Sequence, residues 1–310
     1  MASLARRALL RLSKSDWLAN HLMRRPFALR AVKKFMPGEE LADALDAAAI
    51  LAPAGLGALL TKLGENLTAE SEAKAVRDHY LDVFTQIKIR GLDAHVSVKP
   101  TQLGLDFSQR HCAEHLEILA RKAEDTDTTL WLDMEDSSYV DRTLELYREL
   151  REKHEKVGLA LQAYLRRTPN DLAALLPLRP TIRLVKGAYA EAPEIAFPAK
   201  RDVDSAYYAL SVELLNAAAR GNGLPVFGTH DVRLVDRIVA KATALGVTNG
   251  RFEIHMLYGI RMQEQKALAA NGRTVKTLIS YGSSWFPWYM RRLAERPANV
   301  WFVLKSMFNR

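Results

Sequence analysis

Charged residues interrupt an otherwise apolar stretch at residues 181–190, TIRLVKGAYA. Ile182 is followed by Arg183, and Lys186 comes just before Gly187. A cation within an apolar strand is costly unless an anionic group meets it, and a glycine lets the backbone approach a ligand closely. The stretch therefore predicts either a buried salt bridge or a site for an anionic ligand.

Polar residues recur in the same way along the chain, at the ends of short apolar segments. Seven consecutive segments carry them: Lys99; Asp133, Met134, Glu135 and Asp136; Gln162; Arg183 and Lys186; Thr229, His230 and Asp231; His255; and Tyr281. One such residue is most often a structural polar group. Seven in succession favour a functional site at which the segment ends meet.

Two adjacent arginines lie near the end of the sequence, in WFPWYMRRLAER at residues 285–296. Arg291 and Arg292 follow Trp288 and Tyr289. A guanidinium binds a carboxylate in a bidentate fork, and neighbouring aromatic rings exclude water. The pattern suits a carboxylate ligand with an apolar body, although an exposed helical ion pair between Arg292 and Glu295 explains it equally simply.

The elements that must position these residues alternate between short strands and longer helices. The predicted strands are Leu56–Leu60, His95–Val98, Leu130–Leu132, Leu159–Ala163, Ile182–Val185, Pro225–Gly228, Phe252–His255 and Thr274–Ile279. The predicted helices are Glu39–Leu51, Ser71–Arg90, Gln109–Glu124, Asp141–Glu155, Asp202–Arg220 and Val232–Ala244. Strands joined by helical crossovers are parallel, and eight such units close into a barrel whose sites lie at the carboxyl ends of the strands.

The predicted fold class is therefore α/β, a TIM-like (β/α)8 barrel with extra N-terminal helices. Residues 1–55 form a helical segment on or before the barrel, and residues 56–310 form the barrel, in a single domain overall. An open doubly wound sheet is the alternative, but its glycine-rich phosphate fingerprint is missing. No convincing metal cluster or nucleophile motif occurs, which suits an enzyme whose difficult chemistry belongs to an organic cofactor with phosphates.

Charge is concentrated at the start of the chain. The net charge is +8, and residues 1–35 hold nine lysines and arginines but only one acid, so the remainder is neutral. A neutral body argues against nucleic acid as a partner. The basic start predicts peripheral contact with an anionic membrane surface, while a transit peptide or a solvated helix remains open. The single cysteine, Cys112, excludes an intramolecular disulfide and a cysteine-rich zinc site.

A zinc hydrolase is a rival interpretation because His111, Glu114 and His115 fit the H-x-x-E-H pattern. On a helix the two histidines could share a metal. The predicted helix follows strand two, away from the barrel mouth, so no metal is expected.

Four motifs carry a family resemblance: RLVKGAY at 183–189, LDMED at 132–136, FGTHD at 227–231 and RRLAERPAN at 291–299. Together they make the chain resemble the proline dehydrogenase family, from about residue 35 to residue 299. The resemblance implies a (β/α)8 barrel with non-covalent FAD at the strand carboxyl ends. It also implies oxidation of L-proline to Δ1-pyrroline-5-carboxylate by hydride transfer to flavin N5, with the electrons passed to a membrane quinone.

The resemblance implies roles for individual residues. Asp133 and Arg183 would be catalytic, with Asp133 near the ring nitrogen of proline. Glu65 would pair with Arg291 as a gate. The substrate-binding residues would be Lys99, Tyr281, Trp288, Arg291 and Arg292, with Tyr281 packed on the proline ring. The cofactor-binding residues would be Met134, Gln162, Arg183, Val185, Lys186, Gly187, Ala188, Thr229 and His230.

One residue departs from the family pattern, which commonly has tyrosine where this chain has Trp288. Selectivity between proline and hydroxyproline is therefore open. The rivals are another flavin barrel, such as a folate reductase with a nicotinamide donor, and a non-enzymatic membrane-surface protein. The expected location is cytoplasmic, at the inner face of a bacterial plasma membrane rather than in a mitochondrion, and an oligomer is possible.

Overall fold

The structure is a computed structural model that describes residues 32–64, 67–286 and 289–290. Its eight strands form a closed barrel in chain order, and every neighbouring pair is parallel. The strands are β1 (Leu56–Lys62), β2 (Ala94–Val98), β3 (Leu130–Leu132), β4 (Val157–Gln162), β5 (Thr181–Val185), β6 (Leu224–Gly228), β7 (Glu253–Leu257) and β8 (Val275–Tyr281). The predicted TIM-like barrel is confirmed, with strand ends shifted by two residues or fewer.

Helices surround the barrel and connect its strands. They are α1 (Leu41–Leu51), α2 (Glu70–Ile89), α3 (Gln109–Asp125), α4 (Val140–Arg151), α5 (Thr168–Leu175), α6 (Lys200–Ala219), α7 (Val232–Ala244) and α8 (Met262–Ala270). The sequence did not predict α5 or α8, which have eight and nine residues and so offer little periodicity. Helix α1 precedes the barrel and packs against β1 and β8.

Helix α7 illustrates how local sequence positions the site. The side chain of Asp231 accepts a hydrogen bond from the Leu234 backbone N–H and caps the first turn. Leu234, Val235 and Ile238 are buried on one face of the helix and hold it against the barrel. The Thr229–His230–Asp231 turn is therefore fixed at the carboxyl end of β6.

The interior of the barrel holds an apolar layer and a set of buried charges. Leu59, Trp131 and Val226 pack together from three different strands. Arg183 and Lys276 also point inward, and each is only 3% exposed. Because side chains alternate between the two faces of a strand, the opposite residues of each strand pack on the helices.

Residues just before α1 contact residues that follow β8. The Phe35 ring lies 6.3 Å from the Tyr289 ring, and Trp285 Nε1 donates to Glu39 Oε1 at 2.9 Å. The proposed boundary at residue 55 is not tested by these contacts, and the basic residues 1–31 lie outside the described residues. Within the described part, no helix is both long enough and apolar enough to cross a membrane.

Candidate active site

Arg183 and Asp133 form a buried ion pair inside the carboxyl end of the barrel. Arg183 Nη2 donates to Asp133 Oδ1 and, at 3.1 Å, to Ser97 Oγ. Ser97 Oγ in turn donates to Asp133 Oδ1 at 2.9 Å. The Arg183 side chain is 3% exposed and that of Asp133 is 22% exposed. The pair therefore spans the boundary between the packed interior and the open mouth.

The second terminal nitrogen of Arg183 is the notable group of this site. Arg183 Nη1 is buried and has no hydrogen-bond partner among the described residues. Burial lowers the pKa of Arg183, although the nearby Asp133 carboxylate opposes that shift. A buried guanidinium nitrogen without an acceptor is costly, so this atom marks a place where an anionic or carbonyl oxygen can bind.

Gln162 presents a second buried polar atom nearby, at the end of β4. Its Nε2 donates to the backbone carbonyls of Met134 and Glu135, at 3.3 and 3.1 Å. These bonds fix the orientation of the amide. Its Oε1 is buried without a partner in the described part of the chain. The amide oxygen is thus available to accept a hydrogen bond from a ligand N–H.

The turn after β5 exposes backbone at the same end of the barrel. Gly187 has φ +104°, and a Cβ at this position would lie 2.1 Å from the Tyr164 ring. Lys186 precedes it and binds two carboxylates, Asp204 at 2.6 Å and Asp231 at 3.3 Å. Both the backbone conformation and the space therefore require glycine here.

The predicted cofactor-binding residues come together around this turn. Val185 packs beside Gly228, and Ala188 follows Gly187 with partial exposure. Thr229 Oγ1 accepts from the Asp231 backbone N–H at 3.2 Å. His230 Nε2 accepts from the Leu257 backbone N–H at 2.8 Å, so the neutral ring carries its proton on Nδ1.

Lys99 and Tyr281 lie at the carboxyl ends of β2 and β8. Lys99 follows β2 directly and is half-buried near the mouth. Tyr281 is 1% exposed, and its hydroxyl lies 2.8 Å from His79 Nε2 on α2. Since Leu278 faces the interior layer, alternation turns Tyr281 toward the helices. The contact between the Tyr281 ring and proline, which the resemblance implies, stays a prediction.

The partial burial of His79 predicts a pH-dependent stability. Burial, and next the charge of Lys62, lower the pKa of His79 to about 4. The unfolded chain therefore binds a proton near pH 6.5 that the folded chain binds only near pH 4, so this contribution to stability is complete above pH 6.5 and is lost as the pH falls from 6.5 to 4. We expect His79→Gln to reduce the fall in melting temperature across this interval, by roughly 2–4 °C. Melting curves at pH 7, 5.5 and 4 check this, and an unchanged fall would contradict it.

One trio of potential metal ligands lies deeper in the barrel, among the described residues. His95, Glu253 and His255 have ligand atoms within 4.8 Å of one another. However, His255 Nε2 is hydrogen-bonded to Glu253 Oε2 at 2.8 Å, and His95 Nδ1 accepts a hydrogen bond from Trp131 Nε1 at 3.1 Å. Both imidazoles are thus already engaged by protein groups, so the trio is better understood as buried polar packing.

The zinc-protease pattern is not assembled. His111 Nδ1 contacts Glu70 on α2, whereas His115 Nδ1 lies 3.2 Å from the Leu103 carbonyl. The two rings thus contact different partners, Glu70 and the Leu103 carbonyl.

Four predicted residues lie outside the described part of the chain: Glu65, Trp288, Arg291 and Arg292. Their roles as gate, ring contact and carboxylate clamp remain predictions. In contrast, sequence reasoning missed Ser97 and Trp131, which both contact Arg183. Each stands two residues before a predicted site residue, Lys99 or Asp133, so the two-residue period of a strand was the available signal.

A family model and several curated proteins that match this chain are all described as proline dehydrogenases. The sequence model of the family described as "Proline dehydrogenase" matches residues 44–305. Proline dehydrogenase 1 of Bacillus subtilis subsp. natto is 36% identical over 282 residues, which cover 90% of this chain and 91% of the relative. The proline dehydrogenase of Deinococcus radiodurans is also 36% identical over 282 residues, which are 89% of each protein.

A solved structure agrees at the level of the fold. Proline utilization A (PutA) from Bdellovibrio bacteriovorus superposes with a TM-score of 0.80 at 24% identity. The match covers 86% of this chain and 33% of that larger chain. The family match and the two relatives show that this chain belongs to the proline dehydrogenase family.

Proposed function

We propose that this protein oxidises L-proline to Δ1-pyrroline-5-carboxylate, with non-covalent FAD as the electron acceptor. The observation that carries the proposal is the Arg183–Asp133 pair at the carboxyl end of a closed (β/α)8 barrel. In this fold the active site lies at that end. The family membership and the relatives named above support the choice of substrate.

The residues around the turn after β5 fit a flavin. Arg183 Nη1 is a donor and Gln162 Oε1 an acceptor, and both are buried without partners among the described residues. A flavin ring offers carbonyl oxygens and an N–H along one edge, which match these two atoms. The backbone at Gly187 allows close approach, and Lys186 supplies a cation for a phosphate or hydroxyl-rich portion.

The other predicted cofactor residues are kept in the same proposal. The backbone of Met134, Val185 and Ala188 would line the ring, and Thr229 with His230 would bind the ribityl-phosphate or adenosine portion. When bound, FAD supplies a two-electron acceptor for the ring C–H next to the proline nitrogen. A guanidinium at the position of Arg183 stabilises negative charge that develops on such an acceptor.

The substrate would bind at the mouth beside the Asp133 carboxylate. Asp133 receives both of its described hydrogen bonds on Oδ1, and we assign Oδ2 to the proline nitrogen. Lys99 would line the same space, and Arg291 with Arg292 would bind the carboxylate in a bidentate fork. The proline amine must be neutral for its lone pair to assist oxidation, so kcat/KM is expected to rise with pH.

The remaining parts of the proposal concern the route of electrons and the position of the protein in the cell. A membrane quinone would reoxidise the cofactor, and the basic residues 1–35 would dock peripherally on an anionic membrane surface at the cytoplasmic face. Glu65 and Arg291 would close over bound substrate. Trp288 would contact the ring and influence discrimination against hydroxyproline.

The experiment that tests this function is product analysis. The purified protein with added FAD, L-proline and a water-soluble quinone is expected to yield a product two hydrogens lighter than proline, in proportion to the quinone reduced. Omission of FAD and replacement of L-proline by D-proline serve as controls. Turnover that requires a nicotinamide donor instead of proline would contradict the proposal and favour a folate-reductase-like activity.

A further inference from the structure

Directly beneath Arg183, the Trp131 indole forms the floor of the site. The guanidinium carbon of Arg183 lies 5.0 Å from the centre of the Trp131 ring. Trp131 is fully buried on β3, and it points into the barrel with Leu59 and Val226. A cation over an indole face is attracted by the ring quadrupole, and the attraction is strongest when both groups are desolvated.

Three further contacts fix this indole in one orientation. Trp131 Nε1 donates to His95 Nδ1 at 3.1 Å. The His255 ring meets it edge-on, with centroids 5.6 Å apart and an interplanar angle of 71°. A Cβ on Gly158 would lie 2.6 Å from the six-membered ring of Trp131, so glycine at that position makes room for it. Side chains or backbone from β2, β4 and β7 therefore hold the indole.

His95 remains an acceptor for the indole N–H over the working pH range. Burial, and next the charge of Lys276, hold the pKa of His95 well below its ordinary value, while Glu253 opposes and His255 and Arg183 reinforce that shift. The ring is thus neutral at neutral pH, and its Nδ1 lone pair stays available. The hydrogen bond from Trp131 to His95 that orients the indole is therefore present at neutral pH.

Only one of the two terminal nitrogens of Arg183 has hydrogen-bond partners among the described residues. Nη2 is bonded to Asp133 and Ser97, and the Trp131 face supports the guanidinium plane. Nη1 is left buried and without a partner among the described residues. Without the indole, the guanidinium could tilt into the space below, and Nη1 would leave the position in which the ligand has to meet it.

We propose that Trp131 is a positioning residue for Arg183, and that the His95 bond and the absence of a side chain at Gly158 exist to seat its indole. The inference rests on the proposed function, because the group that Arg183 is positioned to meet is the flavin. It assigns a role to a residue whose described contacts are with Arg183, His95 and His255. The alternative is that Trp131 only fills the barrel core.

A double-mutant cycle on FAD binding separates these two roles. Apo protein is titrated with FAD for the wild type, Trp131→Leu, Arg183→Met and the double variant, and the dissociation constant is read from the flavin fluorescence. Trp131→Leu is expected to weaken binding roughly tenfold to thirtyfold, which is what loss of a desolvated cation–π contact gives. In the Arg183→Met background, Trp131→Leu is expected to weaken FAD binding by less than about twofold, because the guanidinium that the indole positions is absent.

Two further variants control for the aromatic face and for the loss of a buried side chain. Trp131→Phe retains an aromatic face and is expected to stay within about threefold of the wild type. Leu130→Ala removes a fully buried side chain from the helix-facing side of the same strand, and it is expected to leave FAD affinity within about threefold.

The possible outcomes separate the positioning role of Trp131 from the proposed FAD-dependent function. Additive effects in the cycle, or a Leu130→Ala loss equal to that of Trp131→Leu, would overturn the positioning role while leaving the proposed function intact. A wild-type protein that binds no FAD would overturn the proposed function and the positioning role together.

Discussion

Replacement of Asp133 by alanine is expected to lower the free energy of unfolding by about 3 kcal/mol, even in the absence of cofactor. The change leaves the Arg183 guanidinium, 3% exposed, without its carboxylate. Removing one partner of a buried ion pair costs about 3–5 kcal/mol, and the 22% exposure of Asp133 places this pair at the lower end. Denaturant unfolding of the apo protein, followed by circular dichroism, measures the loss.

Two comparisons give this prediction its control. The Asp46 carboxylate is 67% exposed and pairs with Arg90 on the surface. Replacement of Asp46 by alanine is therefore expected to lower the free energy of unfolding by at most about 0.5 kcal/mol. The double variant Asp133→Ala with Arg183→Met removes the charge along with its partner, and it should be more stable than Asp133→Ala alone. A double variant that is less stable than Asp133→Ala would show that the pair is not the source of the loss.

Replacement of Gly187 by alanine is expected to have the second large effect, on both stability and cofactor affinity. The backbone at φ +104° is unfavourable for alanine by about 1–2 kcal/mol. The new Cβ would also lie 2.1 Å from the Tyr164 ring, and such overpacking costs about 1–3 kcal/mol more. Tyr164 cannot easily retreat because its backbone N–H is bonded to the Lys186 carbonyl at 3.0 Å.

Gly221 offers a matched control for this substitution. Its φ is +77°, but nothing lies within 4 Å of a Cβ built on it. Gly221→Ala should therefore show only the backbone cost and an unchanged FAD dissociation constant. Gly187→Ala should move the turn after β5 and weaken FAD binding at least tenfold. Equal effects of the two substitutions on FAD affinity would contradict the assignment of this turn to the cofactor.

The barrel could be predicted from sequence because its signal is repeated. Each of the eight strands is a short apolar run, and the longer helices show a clear buried face, as in α7. The helices α5 and α8 were not predicted, because eight or nine residues form little more than two turns and show little periodicity. Local patterns therefore identified the architecture while leaving two connections undefined.

Arg183 shows what the sequence could say about the site. A cation in an apolar strand predicted either a buried salt bridge or an anionic ligand, and the structure contains the first, with Asp133. An unpartnered Nη1 on the same guanidinium leaves room for the second. The choice of Asp133 and Ser97 as partners depends on barrel closure, which brings residues 50 and 86 positions apart into contact.

Tyr281 shows what a strand pattern leaves undetermined. The end of β8 was predicted two residues too early, and the face on which a residue lies reverses with a shift of one position. The predicted strand ended at Ile279, whereas β8 continues to Tyr281, whose side chain points to His79 on α2. The buried charges of Lys276 and Glu253 were not predicted, because a strand pattern does not show which of its two faces points into the barrel.

The central claim is that Arg183 and its neighbours hold a flavin that accepts electrons from proline. The most direct test is the absorption spectrum of the FAD-loaded protein under anaerobic conditions, before and after addition of L-proline. Bleaching of the flavin bands by L-proline, with much slower or weaker bleaching in Arg183→Met at matched FAD occupancy, is the predicted result. A flavin that stays oxidised with L-proline but bleaches with a nicotinamide donor would contradict the account.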